Sequence, residues 1–516
     1  MAPEQSAGEY RRGRLSVQMR PIIITFLIAL AVLSIPTVLD LLPGPIVHDE
    51  WAYLLQADTF ARGRLANPPH AHWQFFETMH VLQQPTYAAK FPPLQGATLA
   101  VGQVLGSPIY GVIGTMALGC AAITWMLCAM LPARWAFVGG ALAATHPLVF
   151  GWSQNYWGGG AALLASGVFL GGAIRVIRRG GWRDAVIASA GIGMLANCRP
   201  LEGLLLVLLC ALSALWIVRP GALANGAWKR CAFATGVVLL SIGVWMLYYN
   251  HRVVGDVLRM PYAEHAAQYM NAPLFWWQSP RAVPAAYRHE ALARFHLQAE
   301  TDEWESQLGL TNFAAGVGRK LREIGRGWLW PPAAVVPVAV AMALSRRREL
   351  WLAVCVCAIL PAIHFLITPW FRPHYLGVLA PLFFGIAAVG MRALWARGML
   401  GATGVIVVFV IQSLTIGMSV RALITTPSIA GIARQDLIQQ LHQLGGGHLV
   451  FIRYEVGAQT IFEWVANTAE IDRQQVVFAR DMGERNLDLQ RYYPDRRAWL
   501  VSVRGVASTV APLPGE

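Results

Sequence analysis

Two adjacent carboxylates, Asp49 and Glu50, stand in the segment His48-Asp49-Glu50-Trp51-Ala52-Tyr53, just past the first long apolar stretch. A carboxylate can act as general base towards a hydroxyl. Four groups further along the chain, Lys90, Arg199, Arg372 and His374, could neutralise a departing phosphate. Arginine suits that task because its planar fork donates two parallel hydrogen bonds. Base and phosphate partners act together only if the fold gathers them, so the elements that carry them come next.

The stretch from Pro21 to Leu42 holds no charge before Asp40 and is long enough to cross a bilayer as a helix. Over all 516 residues, 56% are hydrophobic and 13% charged. Soluble domains carry about 25% charge. This composition implies a polytopic α-helical membrane protein. Hydropathy marks about eleven spans, at 21–43, 109–131, 134–150, 157–177, 184–198, 200–218, 230–250, 328–345, 350–368, 375–393 and 399–420. The first is too long for a signal h-region and lacks a clear cleavage site, so no cleavable signal is expected.

The net charge is +13, yet the excess sits in short loops between spans, which argues against nucleic-acid binding. Arg11, Arg12, Arg14 and Arg20 precede the first span. Arg134, then Arg178, Arg179 and Arg183, then Arg219, Lys229 and Arg230, then Arg346 to Arg348, then Arg392 and Arg397 fall between alternate later spans. All lie on the side of the N-terminus, which the positive-inside rule makes cytoplasmic. Segments 44–108, 251–327 and 421–516 then face outward. Three parts result: an N-terminal cytoplasmic arm (1–20), a transmembrane region with two external loops (21–420) and an external domain (421–516).

Within the first external segment, Lys90-Phe91-Pro92-Pro93-Leu94 opens a short apolar run, read as a juxtamembrane helix over 94–106. The second has amphipathic stretches near 284–308 and 312–326 and the aromatic run Phe275-Trp276-Trp277, suited to the interfacial belt. The third predicts a helix over 432–443, ended by Gly445-Gly446-Gly447, then strands near 448–454, 475–480 and 498–503. That is a small α/β domain. The seven cysteines all fall in apolar stretches and read as packing residues rather than disulfides or zinc ligands.

Several motifs then stand in a recognisable order. The acidic pair is followed by Tyr53 and the series Ala57, Phe60, Gly63, then by Lys90-Phe91-Pro92-Pro93-Leu94. Ala196-Asn197-Cys198-Arg199-Pro200 and Arg372-Pro373-His374-Tyr375, ahead of Pro381, complete it. Over roughly residues 15–400 this order resembles the GT-C superfamily of membrane glycosyltransferases. It is most similar to the branch of the dolichyl-phosphate-mannose protein mannosyltransferases and the bacterial aminoarabinose lipid A transferases. The resemblance implies a polyprenyl-phosphate sugar donor, inversion at the anomeric carbon and a general base in the first external loop, here Asp49. It implies a multi-pass protein of the bacterial inner membrane, with the C-terminal domain periplasmic or extracellular.

By this reading Asp49 and Glu50 are catalytic, with Glu50 orienting a partner or binding the acceptor. Lys90, Arg199, Arg372 and His374 hold the donor phosphate. Arg199 could instead pair with Glu202 inside the membrane. Tyr53, Gln154, Asn155, Tyr156 and Glu202 contact sugar or acceptor. Relatives carry an acid in the region of Gln154-Asn155, and its replacement by amides argues against a second-carboxylate or metal mechanism. Gly158-Gly159-Gly160 beside them fits tight helix packing at least as well as sugar contact. His48 reads as a boundary residue. His70, His72, His80, His251, His265 and His289, with Glu77 or Glu264, match no recognised metal-ligand spacing, so no metal or other cofactor is indicated. Expected partners are the lipid-linked donor, a lipid, polysaccharide or protein acceptor, and membrane lipids. A nucleotide sugar is disfavoured on an outward face. The competing readings are a transporter or flippase of a lipid-linked saccharide and a non-catalytic binder of one.

Overall fold

The computed structural model describes residues 19–41, 44–217, 226–425, 429–505 and 507–513. Arg11, Arg12, Arg14 and Arg219, with most of the expected N-terminal arm, lie outside the described residues. Seven helices are long and apolar enough to cross a bilayer: Pro108–Leu127, Gly160–Arg179, Pro200–Ile217, Ala227–Val254, Arg348–Ile367, Pro373–Trp395 and Met399–Thr425. The pair Leu310–Trp328 and Pro332–Leu344, bent by 87°, makes an eighth if counted as one span.

Eleven full-length spans are therefore not found among the described residues. The remaining three occur at the expected places as shorter helices: Met19–Leu33, Ala133–Ala144 with Pro147–Trp152, and Trp182–Ala196. Proline marks two of these ends. Pro147 and Pro200 lack the N–H that a helix interior needs and leave His146 and Arg199 outside the helical region.

Helix α1 (His48–Ala61) begins at the acidic pair. Helix α2 (Pro93–Val104) starts at the second proline of the Lys90-Phe91-Pro92-Pro93 run, as expected for a pre-set φ at the first helical position. It crosses Pro108–Leu127 at minimal distance. A Cβ at Gly102 would stand 2.2 Å from the Gly111 nitrogen, and one at Gly111 would stand 2.0 Å from the Thr98 carbonyl oxygen. Only glycines permit that approach, and it fixes the chain that leads back to Lys90. Between α1 and α2 a short hairpin of two-residue strands pairs β1 (Val81–Leu82) with β2 (Ala88–Ala89).

The amphipathic stretches form helical turns from Glu290 to Glu305 and helix α3 (Leu310–Trp328). The C-terminal part has helix α4 (Ile429–Leu444), which ends at Gly445 and Gly446, both at positive φ. Strands β3 (Gly447–Tyr454), β4 (Val476–Arg480), β5 (Arg496–Arg504) and β6 (Ala507–Pro512) follow, in sheet order β4-β3-β5-β6. The first three pair in parallel and β6 adds an antiparallel edge that the sequence pattern does not announce.

This C-terminal part is fastened to the segment 44–108. The backbone N–H of Ala469 donates to Asp58 Oδ2 at 2.8 Å, Arg62 pairs with Glu470 at 2.8 Å, and Arg480 Nε donates to the Glu77 carbonyl at 2.8 Å. Asp58 is buried and also accepts from Arg62 Nε and Gln103 Nε2. Removing a buried, fully used carboxylate strands its donors. Asp58→Ala is expected to cost about 3 kcal/mol and to expose the C-terminal domain to trypsin; melting and limited proteolysis in detergent check this.

Candidate active site

Helix α1 carries the acidic pair in its first turn, where free backbone N–H groups and the helix dipole favour negative charge. The two acids part company there. Glu50 is buried, and its carboxylate accepts from three backbone N–H groups: Ile46 at 2.8 Å, Val47 at 3.2 Å and Tyr156 at 3.2 Å. Burial raises its pKa, against the opposing effect of those donors. With its lone pairs used on backbone, Glu50 is a fastener between α1, the segment that leads into it and the 153–157 loop. The catalytic expectation for it gives way to this geometry.

Asp49 points the other way. Its side chain keeps 31% of its surface exposed, 3.2 Å from His48 Nδ1 and 3.7 Å from His80 Nε2. Burial alone would raise its carboxyl; His48 beside it, with Lys90 and His374 acting over longer range, outweighs that and holds it below the usual range. At pH 7 it is an anion, the form a general base needs.

The cations converge on it. Lys90 is 3% exposed and sits over the Tyr262 ring at 4.6 Å. Burial pulls its pKa down to about 8, although Glu300 and Asp49 oppose the shift. Arg199 lies over the Tyr375 ring at 4.4 Å. Neither cation has an ion pair among the described residues. The expected Arg199–Glu202 pair is not formed: the Glu202 carboxylate lies 3.0 Å from His364 Nε2, buried between two helices. Glu202 thereby serves packing rather than acceptor contact. His374 stacks on Trp157 at 5.1 Å, within reach of the Asp49 charge. Tyr53, one turn after Asp49, stacks on Phe91 at 4.3 Å.

Four expected contacts fall elsewhere. Arg372 is held by both oxygens of Glu303, at 3.1 and 3.3 Å. Gln154 donates to the Leu33 carbonyl and to Ser153 Oγ, tying its loop to the first helix, and Asn155 donates to the Gly151 carbonyl within the loop. Tyr156 is buried, and its backbone serves Glu50 and Gln95. Gly159 packs against the Trp152 ring, which a Cβ would meet at 2.6 Å, in keeping with the packing reading. His48, read from the sequence as a boundary residue, and His80, weighed only as a metal ligand, stand beside Asp49; Tyr262, Trp157 and Tyr375, to which the sequence assigned no role, carry Lys90, His374 and Arg199 on their rings.

The chain is similar to one solved structure over almost its whole length. It matches ArnT from Cupriavidus metallidurans bound to undecaprenyl phosphate with a TM-score of 0.55 and 13% identity, over 97% of this chain and 98% of that one. The fold is of the GT-C type. The oligosaccharyltransferase of Archaeoglobus fulgidus in its apo form matches at TM-score 0.46 and 10% identity, over 84% of this chain and 62% of that one. AglB of the same organism, in complex with an inhibitory peptide and a dolichol-phosphate, matches at 0.44 and 10%, over 94% and 69%. No family model matches the chain, and neither does a curated protein.

The division of labour between the acids is testable by stability alone. Glu50→Ala is expected to lose about 2 kcal/mol through its stranded backbone donors, whereas Asp49→Asn leaves the melting temperature in detergent unchanged.

Proposed function

We propose that this protein is an inverting glycosyltransferase. It moves a sugar from a polyprenyl-phosphate donor to an acceptor hydroxyl at the outer face of the membrane, with Asp49 as general base. One observation carries the reading: an ionised, partly open carboxylate stands near Lys90 and, across the Tyr53 and Tyr375 side chains, near Arg199, two cations that have no ion-pair partner among the described residues. That unbalanced positive charge suits an arriving phosphate. ArnT, the structure similar over nearly the full chain, was solved with undecaprenyl phosphate bound.

The acceptor oxygen attacks the anomeric carbon, its proton passing to Asp49, as the bond from that carbon to the phosphate oxygen breaks and leaves its electron pair on the phosphate. Lys90 and Arg199 stabilise the charge that develops there. His374, on the Trp157 ring, supplies a further donor. The sidedness has its own support. Helix Gly160–Arg179 runs from the 153–159 loop beside the pocket to Arg178 and Arg179, and Pro373–Trp395 runs from His374 to Arg392. The basic loops therefore lie at the far end from Asp49, which puts the pocket outside if they are inside. Sugar and acceptor are left to experiment.

Two tests follow. With a panel of radiolabelled polyprenyl-phosphate sugars and a membrane extract, Asp49→Asn is expected to lower turnover by about 10²–10⁴-fold while donor binding persists; equal transfer by both forms sinks the assignment. Lys90 is cationic below its pKa of about 8. Donor affinity should then be full below that pH and fall by about tenfold towards pH 9, a step that calorimetric titration finds in wild type and misses in Lys90→Met.

A further inference from the structure

A cleft of about 300 Å³ lies behind helix α1. One wall is the face of α1 formed by Trp51, Leu54, Leu55 and Asp58, the spacing of a single helical stripe. The other is built by α4, β4 and the stretch 466–468. At about 100° per residue, Trp51 stands roughly 200° round the helix from Asp49, so the cleft is separate from the pocket described above. Its volume is at the low end for small-molecule sites, about 300–1,000 Å³, and suits one sugar ring.

The cleft holds a cation without a counter-ion. Arg434 is 7% exposed and clamped between the Trp51 and Phe478 rings, with both ring centroids 4.2 Å from its guanidinium carbon. Its Nε and Nη2 donate to the Trp464 and Ala466 carbonyls at 3.3 and 2.9 Å. Among the described residues, Nη1 has no hydrogen-bond partner and no carboxylate pairs with the guanidinium. Asp58, the acid in the cleft wall, is already used by Arg62, Gln103 and the Ala469 N–H. Burial pulls the Arg434 pKa down to about 10, so the group stays cationic at pH 7. Beside it, Trp51 Nε1 is buried and has no partner. Buried indole N–H groups and buried charges are normally paired; here both residues line one cleft.

We propose that this cleft binds the carboxylate of an acidic sugar, one uronic acid unit of a saccharide. A single buried cation balances a single negative charge, which matches a carboxylate and leaves a phosphate monoester, with its charge of about −1.5 to −2, under-neutralised. The two N–H groups of Nη1 and the indole N–H of Trp51 suit a planar carboxylate. On the rim, the exposed Gln475 and His442 side chains can take ring hydroxyls. The role of the site deepens the glycosyltransferase reading and rests on it: α1 carries Asp49 in its first turn, so an acidic unit held on the other face of that helix belongs to the acceptor and anchors it beside the base. The existence of the site does not rest on that reading.

The experiment uses full-length protein in detergent. Calorimetric titration reads the binding of glucuronate, glucose 1-phosphate and glucose, and the melting temperature checks that each variant is folded. The expected result is one glucuronate per chain, held at least tenfold more tightly than either other sugar. Arg434→Gln is expected to weaken it at least tenfold, and Trp51→Phe, which keeps a ring and removes the N–H, about fivefold; Asp49→Asn leaves it unchanged. Should Arg434→Gln not fold, Trp51→Phe and Gln475→Ala carry the test. No binding by wild type, equal binding of glucose, preference for the phosphate, or unaltered affinity in the folded variants overturns the site. Sugar transfer separates the two readings. A KM for acidic acceptors that rises in Trp51→Phe while kcat holds supports the acceptor role. Glucuronate bound without transfer from any donor keeps the site and removes the transferase. Transfer with the same KM in wild type and Trp51→Phe removes the acceptor role and leaves the transferase standing.

Discussion

The pocket depends on one buried carboxylate that does no chemistry. Glu50 gathers three backbone N–H groups from two stretches of chain more than a hundred residues apart in sequence, Ile46-Val47 and Tyr156. Because it uses its oxygens on backbone, helix α1 can start only in one register against the 153–157 loop. That register turns the neighbouring residue, Asp49, towards open space and the cations. A charge-assisted cap of this kind is stronger than a neutral hydrogen bond, and the helix N-terminus adds to it. Two adjacent acids thus receive opposite roles from the same element.

Around Asp49 the electrostatics follow from what is left unpaired. The protein neutralises most of its buried charge locally: Glu202 with His364, Arg480 with Glu463, Asp58 with Arg62. Lys90 and Arg199 are left to aromatic faces instead. An aromatic ring gives a cation a weak partner that an anion can readily outcompete. Burial without a strong counter-ion is costly; under the proposed function an arriving phosphate would turn that cost into affinity.

The C-terminal domain belongs to the same construction. The Val47–Phe462 bridge and the bond from His48 N to the Ile461 carbonyl, at 3.3 Å, tie it to the residues that introduce the acidic pair. Tyr87 and Asp58 bind it from the first external segment. It therefore braces one wall of the site rather than standing apart from it.

Much of the architecture is written in one dimension. Hydropathy and prolines place every membrane helix near its position, because burial in lipid demands long apolar runs and proline ends them. The α/β alternation after residue 428 and the glycines that close α4 are equally local, and the order of motifs along the chain already pointed to the GT-C fold. Length was less legible: the run 134–150 is broken ahead of Pro147, and a composition window averages over such a break. Pairing was not legible at all. That Glu202 meets His364 rather than Arg199, that Arg372 meets Glu303, and that His48 and His80 close around Asp49 are decisions of tertiary packing. Charges choose partners by distance and desolvation in space, and neither quantity is encoded in spacing along the chain.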